Sequence, residues 1–269
     1  MSRSNSLLTD LRQSWPVTWN VWHAMFMREM TARTMSDRMA WFWMIFEPMA
    51  ITGIMIAIRA LTMGGQHIAG ADFIPWVLVG LMGFTLFREN MMRLLGAVDA
   101  NMGLFTYRQV KPVDTVLVRG FLEFVLKSFI FLLFIVLGSL LKFDLLPHRP
   151  LEALFDWLSL WMLGLGAGIL ASAAASLVTE IGNIVKLTNL PLLIMSGVIF
   201  PLNYIPHQYQ RYVLLNPIVH GLESLRLNFL PGYHSLNGID LTYLWFWALT
   251  MLTLGLMLHL RFQDRLKAR

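Results

Sequence analysis

The sequence has no cysteine and few charges. The first absence excludes disulfides, thiolate metal sites and cysteine nucleophiles. The second says more. Asp, Glu, Lys and Arg make up 14% of the 269 residues, where a soluble domain carries about 25%. So little polar side chain cannot cover a water-soluble globule of this length. With 57% hydrophobic residues, hydrocarbon is the fitting solvent. Several chemical signatures are missing as well. There is no G-x-x-x-x-G-K-[ST] to cradle nucleotide phosphates, no H-E-x-x-H and no G-x-S-x-G. The histidines (His23, His67, His148, His207, His220, His234 and His259) never pair at i, i+4, so no helical metal site is expected. We assign no catalytic residue, no metal ligand and no cofactor to this chain. Any energy source other than an ion gradient must come from another chain. The opening MSRSNSLLTDLRQSW lacks an apolar core, so no cleavable signal is expected.

What is present is a series of apolar runs long enough for spanning helices, which need roughly 20 residues each. Six are expected, at 40–60, 73–96, 115–141, 153–178, 184–202 and 240–262. The fold class is therefore all-α integral membrane, one transmembrane domain over residues 1–269. The second run stays apolar only from Phe73 to Phe87, before Arg88 and Glu89. It must thin the bilayer or place those charges in a protein-lined space. Residues 203–238 are less apolar and broken by prolines, and read as short re-entrant helices. Such backbone is tolerated at membrane depth only where protein buries it or a cavity receives it. Fifteen Lys and Arg fall on one side of this topology and five on the other, with Lys127 inside a span. The excess belongs to cytoplasmic loops, which puts both termini and the 97–115 loop in the cytoplasm and argues against nucleic acid as the partner of the +5 net charge.

Before the first run, Trp15, Trp19, Trp22 and Phe26 share one helical face, followed by Arg28, Arg33 and Arg38. Residues 15–38 are expected to form an amphipathic helix in the cytoplasmic interface, or a plain membrane-proximal anchor. Gly164, Gly168, Ser172 and Ser176 make a small-residue stripe at i+4 spacing, for packing within one protomer or between two. Most tryptophans near span ends (Trp41, Trp43, Trp76, Trp157, Trp161, Trp245 and Trp247) are expected in an interfacial belt, while a subset could stack on sugar rings. Arg119, Glu123 and Lys127 lie at i, i+4 and i+8 on the third run, roughly 6, 12 and 18 Å in. They form either the polar wall of a conduit or an ion-pair network holding helices together, with Glu123 paired to its i±4 neighbours. Glu47, next to Pro48, pairs with an arginine from the interfacial helix or the third run, or is protonated, at a hinge or a proton site.

Three stretches carry a resemblance. FMREMTARTMSDRMAWFWMIFEP (26–48), NMGLFTYRQVKPVDTVLVRGFLE (101–123) and SGVIFPLNYIPHQYQRYVLLNPIVHGLESLR (196–226) resemble, in order and spacing, the membrane subunit of ABC-2 type polysaccharide exporters. Through YRQVKPVDT (107–115) it resembles the capsular polysaccharide export permeases of Gram-negative bacteria more than the related O-antigen and teichoic-acid exporters. The resemblance covers nearly the whole chain. It implies a homodimeric channel in the inner membrane, driven by a separate ATPase subunit that binds ATP and Mg. It also implies periplasmic and outer-membrane export partners and a lipid-linked polysaccharide as cargo. The 97–115 loop would be the coupling element, through Asn101, Phe105, Tyr107, Arg108, Pro112 and Asp114. Pro112 and Asp114 read as a turn followed by an N-cap that fixes the loop against the third span. Residues 204–230 would form the periplasmic gate, with Pro201, Pro206, Asn216, Pro217, His220, Glu223 and Arg226 as its marked residues. Arg28, Arg33, Arg88 and Arg93 would attract the lipid phosphate, or serve as ordinary positive-inside charges. Lys127 has no counterpart in the family pattern. Exporters of O-antigen, teichoic acid, lipids or drugs are the alternatives. A membrane-embedded lipid-linked transferase would need clustered acidic or His residues, whereas the 16 acidic residues are scattered. An ion-coupled carrier would show paired broken helices, and none is visible.

Overall fold

The computed structural model describes residues 2–35, 39–62, 67–107 and 109–267; Arg38 and Arg108, and the side chains of Trp15, Trp41 and Arg59, lie outside it. The chain is helical almost throughout. Helix α1 runs Ser2–Met35, α2 Ala40–Thr62, α3 Phe73–Leu95, α4 Pro112–Leu140, α5 Pro150–Leu177, α6 Thr179–Met195, α7 His207–Val213, α8 Pro217–Phe229, α9 Leu241–Arg261 and α10 Gln263–Lys267. A two-residue-per-strand hairpin, β1 (His67–Ile68) and β2 (Ala71–Asp72), joins α2 to α3. Its Ala69–Gly70 turn has positive φ at both positions, as a tight primed turn requires.

Helices occupy all six expected runs. Among the described residues, α4, α5 and α9 are long and apolar enough to cross a membrane. Phe42–Ile58 of α2 is a shorter apolar stretch. Two boundaries differ from expectation. The fifth run begins earlier and is shorter, with α6 spanning 17 residues, Thr179–Met195. It ends where Gly197 adopts φ +69°, a conformation glycine enters without strain. The N-terminal helix is longer than the expected 15–38 start and continues through Pro16 from Ser2.

Helix α5 is the centre of the bundle, with α3 on one side and α9 on the other. Glycines set these distances. A Cβ at Gly164 would sit 2.7 Å from the Phe87 carbonyl, and one at Gly168 2.9 Å from Leu94 Cβ, so that face meets α3. A Cβ at Gly166 would sit 2.6 Å from the Ala248 carbonyl, and one at Gly255 2.7 Å from the Leu170 amide, so the opposite face meets α9. The small-residue stripe therefore packs helices within one chain at its Gly164 and Gly168 positions. Pro75 to Phe87 of α3 is buried without interruption, the mark of a helix enclosed by other helices rather than lipid. Trp76, Trp157 and Trp161 depart from the expected belt. Trp157 donates to Ser128 Oγ (2.8 Å) and Trp161 to the Gly120 carbonyl (3.1 Å), partners that lie on α4. An indole N–H turned into the protein finds its acceptor there.

Candidate functional site

One end of the bundle gathers most of the charges singled out from the sequence. Glu29 and Arg33 come from α1, Glu47 from α2, Arg88, Glu89 and Arg93 from α3, and Arg119, Glu123 and Lys127 from α4. Arg119 bonds Glu29 at 2.6 Å. Glu123, almost fully buried, receives Arg33 at 3.2 Å and Arg93 at 3.8 Å. Glu89 receives Arg88 at 2.7 Å and Arg93 at 3.3 Å. Arg88 also reaches Glu47 at 3.5 Å.

This arrangement corrects the expected ladder along α4. Arg119 and Glu123 do not pair with each other among the described residues; each takes a partner from a different helix. The reason is energetic. An i, i+4 pair on an exposed helix contributes only about 0.2–0.5 kcal/mol. Burial takes Glu123 out of water, and charges from two neighbouring helices offset more of that cost than one i±4 partner would. Lys127 has no carboxylate within ion-pair distance among the described residues; Glu89, Glu123 and Glu47 are the acidic groups whose fields reach it. Glu47 pairs with Arg88 of α3, not with an arginine of the interfacial helix or the third run as expected, and α2 passes through Pro48 as a continuous helix.

The cluster continues into the 97–115 segment, which is not a plain loop. Asp99–Thr106 forms a 3-10 helix. Asn101, buried within it, donates to the Ala97 carbonyl at 2.8 Å and accepts from Arg28 of α1. Arg28 also lies 3.8 Å from Glu29. Phe105 is buried in a second hydrophobic cluster with Met25, Leu94 and Val110, whereas Tyr107 is exposed. Asp114 corrects the expected N-cap. Lys111 occupies the cap position, Pro112 opens α4, and Asp114 stands in the first turn. One Asp114 oxygen accepts the Lys111 amide at 3.0 Å and the other accepts the Trp22 indole N–H at 3.1 Å. A single carboxylate thus starts α4 and fastens α1 to it. Phe26 of α1 adds a ring contact with Phe121 at 6.0 Å. The Trp-bearing helix therefore leans on α4, with Trp22 and Phe26 half-buried and Trp19 exposed.

Three groups treated separately in the sequence are therefore one contiguous surface: the interfacial arginines, the charges of the third run and the 97–115 segment. Arg28, Arg33, Arg88, Arg93, Arg119 and Lys127 face Glu29, Glu47, Glu89 and Glu123, an excess of two positive charges. Sequence reading missed Glu29 as a partner. Nothing local marks it, because its cation lies 90 positions away.

The marked residues at the other end are punctuation and weld. Pro201 precedes the 3-10 helix Leu202–Tyr204, Pro206 precedes α7, and Pro217 opens α8. Asn216 caps α8 by accepting from the Ile218 amide at 3.1 Å, and donates to Ser196 Oγ at 3.0 Å. His220 Nδ1 accepts the Asp240 amide at 3.0 Å, which leaves its Nε2–H to donate to the Leu214 carbonyl at 2.8 Å. Arg226 is fully buried. It bonds Glu223 and the Gly197 carbonyl, both at 2.8 Å, and lies 3.8 Å over the Trp76 ring. Tyr233 and Ser235 both donate to Glu223 at 2.8 Å. Burial and the Glu223 carboxylate hold the Tyr233 phenol above its ordinary range, so it remains a donor.

Apolar helices long enough to cross a bilayer, joined at one end by a charged junction, fit an all-α multi-pass membrane protein. The family model of the ABC-2 type transporters matches residues 20–230, and the chain belongs to that family. It is 34% identical over 236 residues to the polysialic acid transport protein KpsM of Escherichia coli, covering 88% of this chain and 91% of that one. It is 27% identical over 218 residues to the capsule polysaccharide export inner-membrane protein BexB of Haemophilus influenzae, covering 81% and 82%. The capsule polysaccharide export inner-membrane protein CtrC of Neisseria meningitidis serogroup A is 25% identical over 244 residues, covering 89% of each chain.

Proposed function

We propose that this chain is the inner-membrane permease subunit of an ABC transporter that exports capsular polysaccharide. Two copies form the channel and a separate ATPase drives it, binding ATP and Mg outside this chain. All six apolar helices span, both termini are cytoplasmic, and 203–238 is the periplasmic re-entrant gate. Periplasmic and outer-membrane export proteins continue the path. The observation that carries this reading is the likeness to capsule export permeases over about nine-tenths of the chain.

The geometry supplies a mechanism. The Asp99–Thr106 helix is tied to α1 through Asn101 and Arg28, and to α4 through Lys111, Pro112 and Asp114. A push on this helix by the ATPase is delivered to both at once. Arg33 and Arg93 share one carboxylate, and Arg93 divides itself between two. Such pairs exchange partners at low cost when helices shift. The excess positive charge suits the phosphate of a lipid-linked chain arriving at the membrane surface. Arg119, Glu123 and Lys127 then form the polar wall nearest the entry.

The test is co-purification of the tagged chain with the ATPase encoded beside it. The wild type retains the ATPase and stimulates its hydrolysis. Tyr107→Ala, an exposed change, weakens retention, and Asp114→Ala retains the partner but loses stimulation. A chain that purifies alone under every nucleotide condition overturns the proposal. An ATPase that binds while cells export no capsule but a different polymer or lipid overturns the cargo alone.

A further inference from the structure

The first turns of α5 and the end of α8 border a cavity of about 900 Å³ that no site above uses. Glu152 and Asp156 line it from one face of α5, and Arg149 from the N-cap position just before that helix. Asn228 and Tyr233 line it from the opposite side. Asp156 is fully buried, and neutral donors hold it: Ser224 Oγ at 2.9 Å and Asn228 Nδ2 at 2.7 Å. Arg149 and Glu152 are exposed, of opposite sign and three residues apart, yet they make no ion pair among the described residues. The free polar groups of this cavity are thus charges of both signs, Arg149 and Glu152, with the exposed His148 beside them. The groups that would read sugar hydroxyls are engaged, since Tyr233 donates to Glu223 and Asn228 to Asp156.

The position matters as much as the charge. Helix α5 is long and apolar enough to span, so its first turn stands at the level of lipid headgroups. Leu151 and Phe155 also line the cavity and are 78% and 49% exposed, an apolar path leading away from the charged part. Pro150 has no amide and the Ala153 amide bonds the Arg149 carbonyl at 2.9 Å, which leaves the Leu151 and Glu152 amides at this end of α5 to favour an anion.

We propose that this cavity holds the headgroup of a zwitterionic phospholipid. Its phosphate lies at Arg149 and the α5 N-terminus, its ammonium at Glu152 with Asp156 behind, and its acyl chains run past Leu151 and Phe155. The proposal requires only that α5 spans a membrane. It holds for either orientation of the chain and for any exported cargo. A bound headgroup also fills the space between the start of α5 and the end of α8, next to the segment that carries Glu223 and Arg226.

Native mass spectrometry of the protein released from nanodiscs of equal phosphatidylethanolamine and phosphatidylglycerol tests this. The wild type retains phosphatidylethanolamine preferentially. In R149A/E152Q, both changes on exposed side chains, that preference falls by about tenfold. In R211A, an exposed arginine elsewhere, it is unchanged. No preference in the wild type, or equal preference in R149A/E152Q, overturns the proposal. So does displacement of the retained lipid by oligosaccharide fragments of the host's capsule, which would reassign the cavity to sugar.

Discussion

Both ends of the bundle bury a glutamate against arginine, but they do so differently. At the α8 end, Glu223 and Arg226 belong to one helix, and the fixed donors Tyr233 and Ser235 and the Gly197 carbonyl add to their pair. Both Glu223 oxygens have donors at 2.8 Å, Arg226 Nε has no hydrogen-bond partner among the described residues, and Trp76 covers the guanidinium. At the α1–α4 end, Glu123 takes two arginines from two helices at 3.2 and 3.8 Å, and several of its neighbours are partly exposed. The first is a weld, in which exchange of partners would leave a bare charge. The second is a junction in which Glu29, Glu89 and Glu123 each have two arginines within 4 Å. The same two residue types thus yield rigidity or adjustability, according to whether the partners come from one element or several.

The contrast can be broken most sharply at the weld. Arg226→Met leaves Glu223 buried with neutral donors only, and should cost about 3–5 kcal/mol. The expected readout is loss of monodisperse protein in detergent and a large fall in melting temperature. Gly80→Ala should mimic it more weakly, because its Cβ would occupy the space of the Arg226 guanidinium. At the junction, Glu123→Gln strands Arg33 while Arg93 keeps Glu89. Its cost should be about 1–3 kcal/mol, with a larger loss of export than of stability. Measured export that tracks stability one for one would make the junction merely structural. Gly166→Ala forces α5 and α9 apart and should cost about 1–3 kcal/mol; a thermal melt of purified protein measures it. Trp22→Phe removes the bond to Asp114 while keeping the ring, for about 1 kcal/mol, seen as faster proteolysis within α1.

The smallest effect is pH dependence at the start of α9. Asp240 accepts the Thr242 amide at 2.8 Å, and that backbone bond holds its carboxyl below the ordinary range. A lowered folded-state value means the contribution is present above the ordinary carboxylate range and is lost as pH falls through the lowered value. Asp240→Asn keeps a good cap and should remove only that pH dependence. Melting curves at neutral and acidic pH distinguish the two chains.

Much of the helix plan was legible because hydrocarbon imposes length and apolarity on any spanning helix, and prolines mark where helices begin. Pro112, Pro150 and Pro217 each open a helix as their fixed φ favours. The pairing of charges was not legible. Spacing on α4 suggested Arg119 with Glu123, yet their partners come from helices about ninety and thirty positions away in sequence. The role of Trp76 was hidden for a like reason. An aromatic near a span end reads as an interfacial anchor, and only the position of α8 reveals the buried Arg226 above its ring.

The sequence by itself determined that this chain lives in a membrane, where its helices run and which family it belongs to. Each follows from local composition or from residues matched in order along the chain. Only the tertiary structure decided which charges meet, which glycines set helix distances and which polar groups stay unpaired at the α5–α8 cavity. Those are properties of side chains far apart in sequence, whose separations depend on how α3, α4 and α5 pack, and no spacing along one helix encodes them.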